Sequence, residues 1–143
     1  MKTRTMLLAA ALSWAGASLA AYPAAEVYKR EGCGCCGLWA DHLERHGLKT
    51  RSNVVEDPGT VRATGGIPDR LGSCHTALVG GYAIEGHVPA SAIKRLLKER
   101  PEAAGLAVAG MPGGSPGMES MAKVPYEVLL VLKDGSTRVF SRH

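Results

Sequence analysis

The chain carries a concentration of thiols near its start. Three of its four cysteines, Cys33, Cys35 and Cys36, lie within four consecutive positions, and glycines stand on both sides of them. A short strand pattern precedes the group and a helical pattern begins at Leu38, which predicts that the thiols lie on a strand-to-helix turn. The free N–H groups at a helix N-terminus favour thiolate over thiol. Because crowded thiolates repel one another, the segment predicts either a soft metal ion or redox chemistry.

The first residues have the composition of a targeting segment. Lys2 and Arg4 form a basic start, an apolar run opens at Met6, and the small residues Ser18 and Ala20 stand where a signal peptidase cleaves. We predict a secretory signal peptide over residues 1–20, with an uncleaved anchor as the alternative. The apolar run is short for a membrane-spanning helix, so no membrane span is expected in the mature chain.

The charge and the aromatic content exclude one class of partner. The formal net charge of +4 falls by two when Lys2 and Arg4 are removed, and the chain has one Phe and four Tyr. Nucleic-acid binding needs a concentrated basic surface or aromatic stacking platforms. We therefore expect no nucleic-acid partner.

The fourth cysteine, Cys74, leaves two disulfide pairings open. Cysteines in a short exported chain usually form structural disulfides. The adjacent Cys35 and Cys36 cannot pair without distorting the peptide bond between them, whereas a Cys33–Cys36 or a Cys35–Cys74 bond could form. Because such clustering adds little loop-closure stabilisation, we expect a functional role for these thiols.

The hydrophobic pattern predicts an α/β fold. The elements run strand, helix, strand, short helix, strand, strand, helix, which is the layout of a minimal thioredoxin-like domain (β-α-β-α-β-β-α) with the thiols on its first strand-to-helix turn. We assign this domain to residues 21–104. Residues 105–143 form a predicted C-terminal extension, in which a Met-rich loop precedes a second β-hairpin. The predicted elements are strand 26–29, a helix from 38 up to 46, strand 49–55, helix 58–63, hairpin strands 75–79 and 82–87, a helix that opens at 88–91 and runs through 99, and extension strands 126–132 and 137–140.

The first hairpin predicts which distant side chains meet. If Gly80 and Gly81 are its two turn residues, Cys74 stands directly opposite His87, and such pairs have Cβ atoms about 4.5–5.5 Å apart. In a thioredoxin-like domain the start of this strand lies against the cysteine turn. Cys74 and His87 are thus expected beside Cys33, Cys35 and Cys36, unless a β-bulge shifts the register.

The other histidines have weaker claims to a metal. His75 follows Cys74 and is expected to point to the opposite face of the strand, so packing or a hydrogen bond to a ligand is favoured over ligation. His42 and His46 are spaced as a chelating pair, but they share the expected buried stripe of the first helix with Trp39. A core role is therefore favoured for both.

The extension carries three methionines whose surroundings are not those of a core. Met111, Met118 and Met121 lie among Gly, Pro and Ser residues, with few apolar side chains to pack against. A thioether is a soft ligand that needs no deprotonation and cannot be lost to a disulfide. We predict that Met111 and Met118 bind a metal or cover its site.

The predicted set of donor atoms favours one metal. Several thiolates with thioethers and an imidazole suit Cu(I), whereas Zn²⁺ is satisfied by thiolates and gains nothing from methionine. Three cysteines on one turn cannot all reach one tetrahedral ion without strain. Because thiolates can bridge, a polynuclear copper site is favoured over a mononuclear one.

Four stretches of the sequence form a recognisable set of motifs: Cys33-Gly34-Cys35-Cys36, Gly72-Ser73-Cys74-His75-Thr76, Glu85-Gly86-His87-Val88-Pro89, and Gly110-Met111-Pro112 through Gly117-Met118-Glu119. In these stretches the chain resembles the CopG family, also known as the DUF411 family. The resemblance implies a periplasmic copper-resistance protein with a thioredoxin-like domain and a C-terminal extension that helps to bind metal. It also implies a cysteine-bridged polynuclear copper cluster and an oxidoreductase activity that interconverts Cu(I) and Cu(II).

The resemblance carries over to individual positions and partners. The cysteines of the family are matched by Cys33, Cys35, Cys36 and Cys74. Other positions of the family motifs are matched by His87, Met111 and Met118. The implied partners are copper ions and a copper efflux system or another periplasmic copper protein. Two alternatives stay open: a thiol–disulfide oxidoreductase with Cys33 and Cys36 as its redox pair, and a non-catalytic copper chaperone. The predicted metal-binding residues are Cys33, Cys35, Cys36, Cys74, His87, Met111 and Met118.

Overall fold

The computed structural model describes residues 21–143, so the predicted signal peptide at residues 1–20 lies outside the described residues. The described chain is mixed α/β, with three α-helices and a seven-stranded sheet. The strands and α-helices as far as the third helix follow the predicted order. The elements are β1 (Ala25–Lys29), α1 (Gly34–Arg45), β2 (Thr50–Val54), α2 (Pro58–Thr64), a 3-10 turn (Asp69–Leu71), β3 (His75–Val79), β4 (Tyr82–Glu85), α3 (Ala90–Glu99), β5 (Gly105–Ala107), β6 (Glu127–Val131) and β7 (Thr137–Arg142).

One sheet runs in the order β2-β1-β3-β4-β5-β6-β7. The β1–β2 and β4–β5 pairs are parallel, and the other neighbouring pairs are antiparallel. The hydrophobic pattern gives no sign of β5, which spans three residues inside the region expected to be a loop. Gly105 is needed there because a Cβ atom would lie 1.7 Å from the carbonyl oxygen of Ala83 on β4. Strand β5 thereby joins the predicted C-terminal hairpin, β6 and β7, to the sheet.

Apolar side chains pack in two clusters. Successive residues of a strand point to opposite faces of the sheet, so Ile84 of β4 packs into the larger cluster and Ala83 into the smaller one. Burial of each large apolar side chain contributes about 1.5–3 kcal/mol, so this packing fixes α1 and α3 relative to the strands. The larger cluster includes Trp39 and Leu43 of α1, Ile93 and Leu96 of α3, and Val27, Ile84, Leu106 and Leu130 of the sheet. The smaller cluster contains Ile67, Leu71, Ala83, Ala107 and Val131.

Helix α1 begins at Gly34, four positions before the predicted start at Leu38. Cys33 is its N-cap residue and has an extended backbone, so the two following cysteines lie in the first turn of the helix. The sequence pattern did not predict this earlier start, because Cys and Gly are poor helix formers and give no apolar periodicity. The thiols therefore lie at the helix N-terminus itself, where the positive end of the helix dipole acts on them.

The buried face of α1 also differs from the predicted one. Leu38 has the same helical spacing as the residues predicted to be buried, but it is 54% exposed, whereas Trp39 and Leu43 are fully buried. The indole Nε1 of Trp39 donates a hydrogen bond to the carbonyl oxygen of Val88 at 2.9 Å. This bond satisfies the buried N–H group and fixes the rotation of the helix about its axis.

Helices α2 and α3 agree with the sequence signals. The carboxylate of Asp57 accepts a hydrogen bond from the Gly59 N–H at 3.0 Å, with Pro58 in the first turn of α2 as predicted. Helix α3 turns Ile93 and Leu96 inwards and ends at Glu99, before Pro101. Within residues 21–143, every helix is too short or too polar to cross a membrane.

Candidate metal centre

The pairing of β1, β3 and β4 brings the cysteine turn and the fourth cysteine to one end of the sheet. Lys29, the last residue of β1, pairs with His75, the first residue of β3. The turn that follows β1 and the residue that precedes β3 therefore meet. The predicted hairpin register is confirmed, since Ala77 pairs with Ile84, and the Gly86 N–H donates to the His75 carbonyl oxygen at 3.0 Å.

The four cysteines and one histidine come together at this end. The Sγ atom of Cys35 lies 3.7 Å from that of Cys33 and 3.8 Å from that of Cys74. The Sγ atom of Cys74 lies 3.1 Å from Nε2 of His87. The sulfur atoms of the four cysteines all lie within 4.8 Å of one another, as do the candidate donor atoms of Cys74, His75 and His87. Two overlapping sets of donors thus share Cys74.

The structure resolves the disulfide pairing that the sequence leaves open. Cys33 and Cys36 are bonded, whereas Cys35 and Cys74 are free thiols. Sulfur in a disulfide carries no negative charge and is a poor metal ligand, since metal ions bind the thiolate. In this redox state the cluster offers two thiols and an imidazole, and reduction of one bond would supply two more thiolates.

His87 is held in the tautomer that suits a metal ligand. Its Nδ1 atom lies 2.7 Å from the carbonyl oxygen of Pro116, which can only accept a hydrogen bond. The proton is therefore on Nδ1, and the lone pair of Nε2 faces the Cys74 sulfur. Burial lowers the pKa of His87 and favours the neutral ring that binds metal ions.

The Cys74 thiol needs a positive partner to ionise. Burial raises the pKa of Cys74 to about 12, and the neighbouring Cys35 adds to this effect. A thiol with such a pKa stays protonated at neutral pH. A cation that binds the sulfur displaces the proton, because a coordinating thiol is deprotonated by the metal.

His75 does not lie away from Cys74 as predicted. Its Nδ1 atom lies 3.4 Å from the Cys74 sulfur, and its ring is buried 4.3 Å from that of Trp39, measured between centroids. The alternation of side chains fails here because β3 begins at His75, so Cys74 belongs to the preceding loop. Burial lowers the pKa of His75 to about 3 and keeps the ring neutral. Its Nε2 atom is the buried side-chain polar atom without a hydrogen-bond partner among residues 21–143.

Glu85 is a site residue that the sequence analysis missed. It is fully buried on β4, and its carboxylate accepts hydrogen bonds from the Ser73 N–H and the Thr76 hydroxyl, both at 2.6 Å. Arg62 adds an ion pair at 3.4 Å. Burial raises the pKa of Glu85 above its ordinary value, although all three partners favour the charged form. The carboxylate holds the chain on both sides of Cys74; a charged residue within a buried strand was the available signal.

The Met-rich loop is anchored against the cysteine turn. A Cβ atom at Gly117 would lie 2.7 Å from the Cys35 carbonyl oxygen, and the backbone there has a φ of +87°. Only glycine permits both this approach and this conformation without strain. Met118, the next residue, is half-buried, while Met111 is exposed beside Gly110, whose carbonyl oxygen accepts a hydrogen bond from the Ser73 hydroxyl. The loop thus lies over the site, with one methionine in each anchored part.

The prediction that both histidines of α1 are buried is wrong. His46 is exposed, and His42 is half-buried. The Nε2 atom of His42 accepts the Ala90 N–H at 3.1 Å, so it is occupied at the start of α3. The His46 Nδ1 lies 2.8 Å from the His42 carbonyl oxygen, and the two ring centroids lie 4.3 Å apart with the ring planes tilted by 40°.

Fold and site together define a mixed α/β protein with a partly buried cluster of sulfur and imidazole donors at one end of its sheet. The family model described as "Protein of unknown function, DUF411" matches residues 71–118, which contain Cys74, His87 and both predicted methionine ligands. Two solved structures, form 1 and form 2 of copper resistance protein CopG, are each 40% identical to this chain. Each superposes with a TM-score of 0.79, and the alignment covers 85% of this chain and 98% of the CopG chain.

The chain therefore belongs to the DUF411 family, together with copper resistance protein CopG. A comparison with curated proteins found no match. The resemblance predicted from the four sequence motifs is confirmed.

Proposed function

We propose that the protein binds copper in the periplasm and takes part in copper resistance. The observation that carries this proposal is the approach of three soft donors from remote parts of the chain. The Sγ atoms of Cys35 and Cys74 and the Nε2 atom of His87 follow one another at 3.8 and 3.1 Å. The copper resistance proteins that match over most of the chain support the identity of the ion.

The donor set argues for Cu(I) rather than Zn²⁺. Once reduced, the site would offer four thiolates, which are soft ligands, and a neutral imidazole beside them. A Zn²⁺ ion needs four donors in a tetrahedron, and additional thiolates and thioethers would bring it no benefit. We assign copper binding to Cys33, Cys35, Cys36, Cys74 and His87, with Met111 and Met118 as thioether ligands from the loop above.

A bridged, polynuclear site is the arrangement that this crowding favours. Cys35 lies between Cys33 and Cys74, at nearly equal sulfur–sulfur distances of 3.7 and 3.8 Å. A thiolate in that position can bind two copper ions at once. We propose that copper held in this way changes between Cu(I) and Cu(II), which makes the protein a copper-dependent oxidoreductase.

The wider setting of the site belongs to the same proposal. A thioredoxin-like domain over residues 21–104 would supply the cysteine turn, and the extension over residues 105–143 would cover it. A signal peptide at residues 1–20 would export the chain to the periplasm. The copper would then pass to an efflux system or to another periplasmic copper protein. The alternative, a non-catalytic chaperone, would transfer Cu(I) without changing the oxidation state of the copper.

Copper titration of the reduced protein tests the proposal. Cu(I) is added without oxygen in competition with a Cu(I)-specific chelator, and Zn²⁺ is titrated in parallel. We expect tight binding of Cu(I), weakened by Cys35→Ser and by His87→Ala. His46→Ala, which removes an exposed imidazole from the same molecule, is the matched control and leaves the affinity unchanged. Absence of stoichiometric Cu(I) binding, or equal effects of the two histidine variants, refutes the proposal.

One observation favours a second function. The Cys33–Cys36 disulfide has the C-x-x-C spacing of thiol–disulfide oxidoreductases and lies at a helix N-terminus. Such a protein would reduce or isomerise disulfides of other proteins without a metal. The free Cys35, 3.7 Å from Cys33, argues against this function because a third thiol competes for the bond. Disulfide reductase activity of the metal-free protein separates the two.

A further inference from the structure

One disulfide and two free thiols share the same cluster. Cys33 and Cys36 are bonded to each other, while the sulfurs of Cys35 and Cys74 stay 3.8 Å apart and unbonded. The free Cys35 thiol also lies 3.7 Å from the bonded sulfur of Cys33. The four cysteines thus fall into two pairs, one that holds an oxidised bond and one that keeps its thiols.

We propose that the Cys33–Cys36 pair is the electron donor that reduces Cu(II) at this site. This inference rests on the proposed copper binding and adds the source of the electrons. The reduced pair gives one electron to each of two Cu(II) ions, two thiol protons are released, and the Cys33–Cys36 bond forms. The products are two Cu(I) ions and the disulfide that the structure holds.

The remaining donors suit the product of this reaction. After oxidation the site still offers two thiols and a neutral imidazole, from Cys35, Cys74 and His87. The Cys74 sulfur lies 3.8 Å from the Cys35 sulfur and 3.1 Å from Nε2 of His87. These are soft ligands, which hold Cu(I) in preference to Cu(II). Cu(I) bound to Cys35 and Cys74 prevents those two sulfurs from forming a second disulfide, so the reaction ends after one pair is oxidised.

A cleft beside the site gives access to one sulfur of the pair. The cleft has a volume of about 320 Å³, and Cys33 and Cys74 both line it. Cys36 is fully buried and does not line it. An external dithiol can therefore attack Cys33, which forms a mixed disulfide and releases Cys36 as a thiolate. The second thiol of the reductant then displaces Cys33, and the pair is restored with the reductant oxidised to its disulfide.

The wall of the cleft carries charged side chains, which suits a water-soluble dithiol that approaches Cys33. Arg30 and Asp57 form an exposed ion pair at 3.3 Å along its wall. Arg62 lies on the same wall and is held by the buried Glu85. The residues that line the cleft all precede the Met-rich loop in the chain, so a dithiol can enter without displacing the part of the loop anchored at Gly117.

The test counts electrons and locates the bond. Reduced protein, freed of reductant without oxygen, is titrated with Cu(II); Cu(I) is measured with a specific chelator after unfolding, and disulfides are mapped by alkylation and mass spectrometry. We expect the yield to level off at two Cu(I) ions per chain, with the Cys33–Cys36 bond formed. Protein whose Cys33–Cys36 bond is already present, and whose Cys35 and Cys74 already hold Cu(I), is the control and yields no further Cu(I). A Cys35–Cys74 bond, a yield of four, or Cu(I) without any disulfide overturns the proposal.

Two variants keep the test independent of folding defects. Cys33→Ser changes a half-buried position, and Cys36→Ser changes a fully buried one. Each is expected to lose the yield of two Cu(I) ions, and an undiminished yield in either overturns the inference. Direct Cu(I) titration of the reduced wild-type protein separates the two proposals. If Cu(I) binds but Cu(II) does not oxidise this pair, only the inference fails; if Cu(I) does not bind, the proposed function fails.

Discussion

The Sγ atom of Cys74 lies 3.1 Å from the Nε2 atom of His87, although the two residues are thirteen positions apart. The β3–β4 hairpin creates this contact, because its two-residue turn fixes which residues face each other. The Pro116 carbonyl oxygen then selects the histidine tautomer whose lone pair points to the sulfur. A short glycine turn, and a loop from the far end of the chain, together form one corner of the candidate metal centre.

The first prediction concerns that corner. Replacement of His87 by Ala removes the imidazole donor, and we expect the Cu(I) affinity to fall at least about tenfold, in line with the effect of disturbing a metal site's ligands. The measurement is competition with a Cu(I)-specific chelator at neutral pH. His46→Ala removes an exposed imidazole and is expected to change nothing. Equal losses in the two variants would show that His87 is not a ligand.

A second prediction tests the anchoring of the Met-rich loop. In Gly117→Ala, the new Cβ atom meets the Cys35 carbonyl oxygen at 2.7 Å, and the φ of +87° is strained for any residue with a side chain. We expect a loss of about 1–3 kcal/mol in the free energy of unfolding, together with weaker Cu(I) binding. Urea unfolding and the chelator competition measure the two effects.

Gly135→Ala is the matched control for this variant. Gly135 has a similar φ of +81°, but its nearest neighbour to a new Cβ is an atom of Pro68 at an ordinary 3.4 Å. We expect Gly135→Ala to lower stability without any change in copper binding. If Gly117→Ala binds Cu(I) as the control does, the loop takes no part in the site.

A third prediction concerns the buried carboxylate of Glu85. Glu85→Ala leaves the Ser73 N–H without its acceptor and removes one of the two carboxylates that pair with Arg62, the other being Asp69. An unsatisfied buried donor costs about 1–3 kcal/mol. We expect that loss in urea unfolding, and a weaker copper site because the segment that carries Cys74 is released. Glu102→Ala, which removes a carboxylate from the surface, is the control. Equal stability of the two variants would contradict a positioning role.

A fourth prediction uses the pH dependence of stability. Burial lowers the pKa of His42 below that of the same ring in the unfolded chain. The unfolded state then binds the proton more readily, so this contribution to stability is present above the unfolded pKa and is lost as the pH falls below it. Protonation of Nε2 also removes the acceptor of the Ala90 N–H.

Urea unfolding of the metal-free protein between pH 7 and pH 5 measures this effect. Because other buried histidines act in the same direction, the informative quantity is the difference between wild type and His42→Asn. We expect the variant to lose less stability over this interval than the wild type. His46→Ala removes a neighbouring ring that also lowers the pKa of His42, so we expect a smaller change in the same direction. An identical slope in His42→Asn and the wild type would contradict the assignment.

The sequence predicted the parts of the site that depend on local rules. The hairpin register followed from the pair Gly80-Gly81, since a two-residue turn permits one pairing, and it placed Cys74 against His87. The order of strands and helices followed from hydrophobic periodicity. The family followed from the motifs around Cys33, Cys74 and His87, which the solved structures bear out at 40% identity.

Other features depend on contacts that no local pattern records. Glu85 acts on Ser73 across the sheet, and the orientation of His75 depends on where β3 begins. Strand β5 is too short to show a period. The choice of Cys33–Cys36 over Cys35–Cys74 depends on the positions of all four sulfurs, and both pairings satisfy the sequence equally well.

A bridged copper site requires that sulfur atoms from the cysteine turn and from Cys74 bind the same copper ions. X-ray absorption spectroscopy at the copper edge, on reduced protein loaded with Cu(I), measures this directly. We expect sulfur neighbours and a second copper ion near each absorber, with the copper–copper contribution lost in Cys35→Ser. A spectrum with only nitrogen and oxygen neighbours, or one that Cys35→Ser and Cys74→Ser both leave unchanged, would contradict the account.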